Sequence, residues 1–347
     1  MMMTVKVWVD ITNSPHVLFF EPLMRALKEV EFLVTARPCQ QTVELLERKA
    51  ISHKVVGGFH ARRKLGKACG LAFRSFLLWL EMVKKRSQFA FSVSHGSPYC
   101  SIASRLAGIY NLWTLNGDKA LDVIKPSVKF ADKVVIPRLV PKANYVKMGA
   151  KPDKIVQYPG FKEEVYLWNF KADPHYLEQV GVETSKPIVV VRPEASEAFY
   201  VRQTGFLVPL LKSLKSEYSI VLLARTERQK VFYKDVFGSD IFVPSHVLDG
   251  PNLIANSDLV VSAGGTMNRE AVILGKKVVS TYREDMLTVD KWLVQNEFML
   301  HNPNPTKRFI DGVVDGKIGT ERYRPSNKTF RFFVDLMEKQ LEGAFLN

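Results

Sequence analysis

The stretch DLVVSAGGTMNREAVILGKKVVSTY, residues 258–282, decides the fold. An apolar run ends at a pair of glycines, and Met267, Ala271 and Leu274 then recur at helical spacing. Gly275 stops that pattern, and KKVVSTY starts a second apolar run. Two strands joined by a crossover helix lie parallel, so a parallel sheet covered by helices is expected.

The same alternation extends through the chain. VKVWVDI (5–11), EFLVTA (31–36), HKVVG (53–57), FAFSVS (89–94), YNLWTLN (110–116) and DKVVIP (132–137) read as strands with helical stretches between them. Residues 141–176 are rich in Pro and Gly with weak periodicity, so the domain connection falls there. A second series follows: KPIVVVRPE (186–194), YSIVLLART (218–226), DIFVP (240–244) and the two strands of the opening stretch. The expected fold class is α/β, with two Rossmann-like, doubly wound parallel-sheet domains at 1–160 and 161–325. The stretch 326–347 reads as a C-terminal helix with a wide apolar face, able to pack back on the first domain.

With 347 residues, 46% hydrophobic and 24% charged, the chain has the balance of a globular protein. The apolar run FRSFLLWLEMV is broken by Glu81 and falls short of the roughly 20 residues a membrane span needs. No secretory signal is visible in MMMTVKVWVD, and Cys39, Cys69 and Cys100 read as reduced thiols, so a cytoplasmic protein is expected. The net charge of +14 favours polyanionic partners. No RNA-binding motif accompanies it, so nucleic acid is not the expected partner.

Glycines at a strand end let a backbone approach a ligand, and the following helix presents N–H groups and its positive dipole end to an anion. Gly264 and Gly265 therefore suit a phosphate, and Glu270, about one turn into the helix, suits ribose hydroxyls. A tight turn with Glu270 there for the helix dipole is the plainer alternative.

AGGTMNREAVILG resembles the nucleotide-sugar motif of glycosyltransferases with the GT-B fold, most of all the lipid-linked N-acetylglucosamine transferase of peptidoglycan synthesis. Non-hydrolysing UDP-N-acetylglucosamine 2-epimerases have a similar Gly-Gly…Glu stretch, with the Glu one residue sooner. From WVDITNSPHVLFFEPL through SHGSPY and VVRPEASEAFY to SAGGTMNREA, the chain also resembles the largely archaeal family called domain of unknown function 354. These resemblances imply a GT-B-like pair of domains facing a cleft, a UDP-sugar substrate and no cofactor, with Glu270 on the ribose.

Arg192 and Arg225 end consecutive strands, where planar guanidinium groups can hold a diphosphate. Glu194, Thr226, Ser262 and Thr266 complete the expected nucleotide side. In the first domain, DITNSPHVLFFEPL places Asp10, Asn13, Ser14 and His16 at a strand end and helix start. Asn13 or Ser14 can cap that helix, and His16 reads either as a general base or as a packing residue. SHGSPY places His95, Gly96 and Ser97 before a second helix start, also on the acceptor side.

Residues 62–86 combine basic and aromatic side chains, and two readings stand: a core helix with solvated basic ends, or contact with an anionic membrane at its inner face. The expected function is metal-independent glycosyl transfer from a nucleotide diphosphate sugar to an acceptor, lipid-linked if the membrane contact holds. The alternatives are 2-epimerisation of a UDP-sugar, and non-catalytic nucleotide-sugar or RNA binding.

Overall fold

The computed structural model describes residues 6–39, 41–58, 64–193 and 205–345. The chain divides into two compact units, one running to Tyr166 and resuming at Ser326, the other spanning Leu167–Pro325. Each contains one sheet, and every strand pairing in both is parallel.

The first unit holds β1 (Lys6–Ile11), β2 (Glu31–Ala36), β3 (Lys54–Val55), β4 (Phe89–His95), β5 (Asn111–Thr114), β6 (Lys133–Pro137) and β7 (Ile155–Tyr158). Their spatial order is β3-β2-β1-β4-β5-β6-β7. The chain winds outward from β1 to β3, then crosses back to build the other side, so the winding reverses between β1 and β4.

Successive side chains of a strand point to opposite faces. Val7, Val9 and Ile11 therefore join a core with Phe19, Phe20 and Leu23 of the helix Ser14–Ala26 and with Phe333, Met337 and Leu341 of the helix Lys328–Phe345. Trp8 faces the other way, onto Leu78 and Met82 of the helix Lys64–Val83 and Cys100 and Ala103 of the helix Pro98–Ala107. Burial on both faces is what a parallel sheet needs, and it explains the near-continuous apolar runs.

The Pro- and Gly-rich stretch conceals β7, a short strand that completes the first sheet. The first unit runs on beyond residue 160 because Glu164 ties the segment down. Its carboxylate accepts from Phe161 N at 2.9 Å, Ser326 N at 3.0 Å and Thr329 Oγ1 at 2.9 Å, which fixes the start of the C-terminal helix in the same unit.

The second unit holds β8 (Ile188–Arg192), β9 (Ser219–Leu222), β10 (Leu259–Ser262), β11 (Lys277–Ser280) and β12 (Leu300–His301), in the order β12-β11-β10-β8-β9. Here the winding reverses between β8 and β10. DIFVP is not a full strand: it contributes a single bridge, Phe242 to Val221. The sheet instead gains β12, too short at two residues to stand out in the sequence. Val189, Val191, Ile220, Leu222 and Val261 pack with Leu211, Leu214, Tyr233 and Ile310.

Candidate functional site

In an open parallel sheet the crevice beyond the carboxyl ends of the strands is deepest where the winding reverses. In the second unit that point lies between Arg192, ending β8, and Ser262, ending β10, which are paired in register. Burial presses the Arg192 guanidinium below its ordinary value, and the Glu270 carboxylate opposes the shift, so the two charges lie within electrostatic reach of each other. Glu270 is itself buried on the helix Gly265–Ile273.

That helix starts at the reversal without a side-chain cap. Ser262 Oγ accepts from Gly264 N at 2.9 Å and tightens the turn, while the amides of the first helical turn have no acceptors within the helix. An anion there meets free donors and the positive end of the dipole.

The glycines serve a purpose that the sequence did not disclose. Neither has an unusual backbone: Gly264 sits at φ −121° in the extended region, and Gly265 is the first helical residue. A Cβ on Gly264 would collide with the Arg225 guanidinium, and one on Gly265 would lie 2.9 Å from both Arg269 Nη1 and Asp290 Oδ2. The missing side chains thus admit the protein's own arginines to the helix start. Arg269 and Asp290 form a buried pair at 2.6 Å beside it.

Arg225 is held from several sides. Its Nε donates to Pro193 O at 2.7 Å, and its backbone N donates to Gln229 Oε1 at 2.8 Å. Thr226, expected to bind nucleotide, caps the helix Glu227–Phe237 by accepting from Gln229 N at 3.2 Å. The reciprocal Thr-x-x-Gln pair is close to a capping box, and it positions Arg225. Thr266 lies on the first turn within 3.5 Å of Arg269 Nη2, and Glu194 lies outside the described residues.

A separate depression, lined by Lys186, Lys215, Lys234 and Asp240, opens at the amino end of β9. It is at the wrong end of the strands for a ligand of this fold.

In the first unit the reversal between β1 and β4 collects Asp10, His16, His95 and Ser97. Asp10 faces the same side as Trp8 and is fully engaged: it accepts from Thr35 Oγ1 at 2.7 Å, Ser97 Oγ at 2.5 Å, and Arg74 Nη1 and Nη2 at 2.9 and 2.7 Å. Burial works against the Arg74 charge, and Asp10 more than offsets it, holding the guanidinium above its ordinary value. Ser97 also caps the helix Pro98–Ala107 by accepting from Cys100 N at 3.2 Å. The anion near that helix start is therefore Asp10, and neither Asp10 nor Ser97 is left open to an acceptor. The same carboxylate, after burial, pushes the Cys100 thiol up to about 12.

The histidines lie on the opposite face of the sheet. His16 and His95 are buried with ring centroids 4.5 Å apart, and His95 packs against Phe19, which contacts Phe333. Burial first, and the Lys162 charge second, lower His16 to about 3, so its imidazole is neutral at pH 7. Its Nδ1 is 3.4 Å from Thr12 Oγ1. Neither Asn13 nor Ser14 caps the helix Ser14–Ala26. Pro15 occupies its first turn, and Ser14 Oγ is buried without a hydrogen-bond partner. Gly96 turns at φ 62° and donates to Thr114 O at 2.8 Å, where a Cβ would also press Leu115 at 3.1 Å.

Of the basic segment 62–86, Arg62 and Arg63 lie outside the described residues. Arg74 belongs to the Asp10 pair and is not a surface cation. Phe73, Phe76 and Leu80 remain exposed at 54%, 50% and 44%, with Lys84, Lys85 and Arg86 exposed beyond them. No helix among the described residues is long and apolar enough to cross a membrane.

Comparison with known proteins agrees with this architecture. The UDP-GlcNAc 2-epimerase of Neisseria meningitidis bound to UDP-GlcNAc superposes with a TM-score of 0.74 at 13% identity, covering 96% of this chain and 100% of that one. The Methanocaldococcus jannaschii UDP-GlcNAc 2-epimerase in complex with UDP-GlcNAc and UDP gives 0.72 at 12% identity, over 96% and 100%. Anabaena HepE in complex with UDP gives 0.61 at 14%, over 98% and 100%. Identities this low show a shared fold, the GT-B-like pair of parallel α/β units. An uncharacterized protein of Methanocaldococcus jannaschii is 27% identical over 323 residues, 90% of this chain and 92% of that protein. The sequence profile of one family spans residues 5–342, nearly the whole chain, and the protein belongs to that family, the proteins of unknown function designated DUF354.

Proposed function

We propose that the second unit binds a nucleoside diphosphate sugar, a UDP-sugar in the first instance, and that the protein breaks the bond between the sugar C1 and the diphosphate to transfer the sugar to an acceptor on the first unit. The observation that carries this reading is an uncapped helix start at the reversal between β8 and β10, with Arg192 ending β8 and the buried Glu270 on that helix. Glu270 offers a carboxylate to ribose hydroxyls. Arg192, Arg225 and the first-turn amides offer donors to the diphosphate, and fixed donors that gain strength as charge develops lower the barrier to its departure. The solved relatives that share the fold and carry UDP or UDP-GlcNAc support the choice of ligand.

His16 takes the acceptor proton in this scheme. A base near 3 is weak in the unliganded protein. An anion arriving close to it stabilises the imidazolium and raises its basicity. The donor set of amides and guanidinium groups supplies the charge compensation that a metal would otherwise give, so turnover is expected to persist in a chelator. The exposed Phe73, Phe76 and Leu80, at helical spacing with Lys84, Lys85 and Arg86 following, fit an anionic bilayer at the cytoplasmic face and a lipid-linked acceptor.

A second reading, 2-epimerisation, is favoured by the 2-epimerases that match over essentially their full length. It shares departure of the diphosphate, adds removal of the C2 proton to leave a C1–C2 double bond, and is completed when a proton returns to C2 from the opposite face and the diphosphate oxygen bonds C1 again. Calorimetric titration with UDP, UDP-GlcNAc and the GDP, CDP and ADP sugars tests the ligand, and absence of binding by all of them overturns the proposal. Incubation of the bound sugar in D2O separates the reactions: deuterium at C2 selects epimerisation, and hydrolysis or transfer without deuterium selects transfer.

A further inference from the structure

The first unit holds a buried cation that nothing in the proposed chemistry uses. Lys162 is 2% exposed, and its Nζ has no hydrogen-bond partner among the described residues. Among the described residues it pairs with the adjacent Glu163 at 3.4 Å. An ammonium carries three donors, and burying it with none of them satisfied is costly unless something else accepts from it. Tyr158, at the end of β7 and four residues before Lys162, packs on Phe333 at 5.0 Å, as does Phe19 of the helix Ser14–Ala26, so the two segments meet on one face of the sheet, where the Lys162 charge also acts on His16.

Other polar atoms are orphaned at the same strand ends. Ser14 Oγ is buried without a partner at that helix start, which has no cap. Thr114 Oγ1 is likewise buried without one, and Thr114 is the register partner of His95. Lys162, Ser14 and Thr114 come from three separate segments of the chain and present four or more donor hydrogens. A group with several anionic oxygens answers such a set better than a single hydroxyl does.

We infer that the first unit carries a second anion site, in which Lys162, with Ser14 at the helix start, holds a phosphate group of the acceptor substrate next to His16 and His95. The inference rests on the reading of the first unit as the acceptor side and adds that the acceptor is a phosphorylated molecule. A phosphate bound there supplies the negative charge that raises the basicity of His16.

The probe is inorganic pyrophosphate, titrated by calorimetry at constant ionic strength into the full chain carrying Arg192→Ala and Arg225→Ala, so that the guanidinium donors proposed for the second unit are removed. Binding is expected to survive in that background, to weaken roughly tenfold or more on adding Lys162→Met, and to recover in part with Lys162→Arg. Ser14→Ala, a small change at a half-buried residue, is expected to weaken it severalfold in a folded protein, and keeps the test decisive if Lys162→Met does not fold. No pyrophosphate binding in the double-arginine background overturns the inference, as does binding that Lys162→Met and Ser14→Ala both leave unchanged. UDP binding to the wild-type protein is measured in parallel. Its absence with pyrophosphate binding intact defeats the nucleotide proposal alone, and its presence without pyrophosphate binding defeats this one alone.

Discussion

The two units place a strand-end crevice at the same topological position and furnish it in opposite ways. At the reversal between β1 and β4 the carboxylate is spent internally: Asp10 is buried under Arg74, Thr35 and Ser97, and the helix behind it is capped. At the reversal between β8 and β10 the helix start is uncapped, and glycines without side chains let Arg225 and the Arg269–Asp290 pair stand against it. One carboxylate fastens helices to a sheet, and the other, Glu270, is buried on the helix that starts at the reversal, within electrostatic reach of Arg192. Topology supplies the position, while local side-chain pairing decides whether it is closed or chemically available.

The sharpest way to break this contrast is Asp10→Asn. If Asp10 is structural, removing its charge leaves the Arg74 guanidinium buried and uncompensated, at a cost of about 3–5 kcal/mol. Chemical denaturation should show that loss, and the Asp10→Asn, Arg74→Met double variant should recover much of it. A stable Asp10→Asn protein would return Asp10 to the candidate ligand contacts.

The next effect is a pH dependence confined to the first unit. His16 is depressed from 6.5 to about 3, so between those values the unfolded chain holds a proton that the folded chain lacks. The stability contributed by its neutral burial is complete above the unfolded value and is lost as pH falls toward the folded one. The slope reaches about 1.4 kcal/mol per pH unit. Unfolding free energies measured from pH 7 to pH 4.5 should fall less steeply in His16→Gln.

In the second unit, Glu270→Ala should leave folding intact and cost about 1.5–3 kcal/mol in UDP affinity by calorimetry. Unchanged affinity would mean that Glu270, like Asp10, is a packing device. The smallest effect separates the two glycines. Gly264→Ala collides with the far end of Arg225 and otherwise makes an ordinary contact with Ser262 Oγ at 3.4 Å, so it should change stability by less than about 1 kcal/mol while weakening UDP binding. Gly265→Ala presses on a buried ion pair that cannot yield as easily, and about 1–3 kcal/mol of destabilisation is expected in thermal melts.

Much of the scaffold was readable. Apolar runs separated by helical periods gave most of the strands, because a sheet buried on both faces has to be apolar along its whole length. The strand-end loops around Asp10, His95, Arg192, Arg225 and Gly264 were legible for the same reason: the loops that close a parallel sheet follow its strands. The short β7 was hidden because a few residues amid Pro and Gly carry too little period to register, and β12 because it has only two residues. Thr226 has a capping role that was readable in Thr-x-x-Gln.

By itself the sequence determined that this protein is built from two parallel α/β units and which loops lie at their strand ends, since periodicity and turn chemistry are local properties. Strand order, and with it the reversal points, came only from the tertiary structure, because each crossover may dock on either side of the strand before it. The partners of buried charges were decided there too. Asp10 and Arg74 are 64 residues apart, and Arg269 and Asp290 are 21 apart. Which charged partner a strand-end carboxylate meets depends on which distant side chain the packing delivers to it, and no local pattern encodes that meeting.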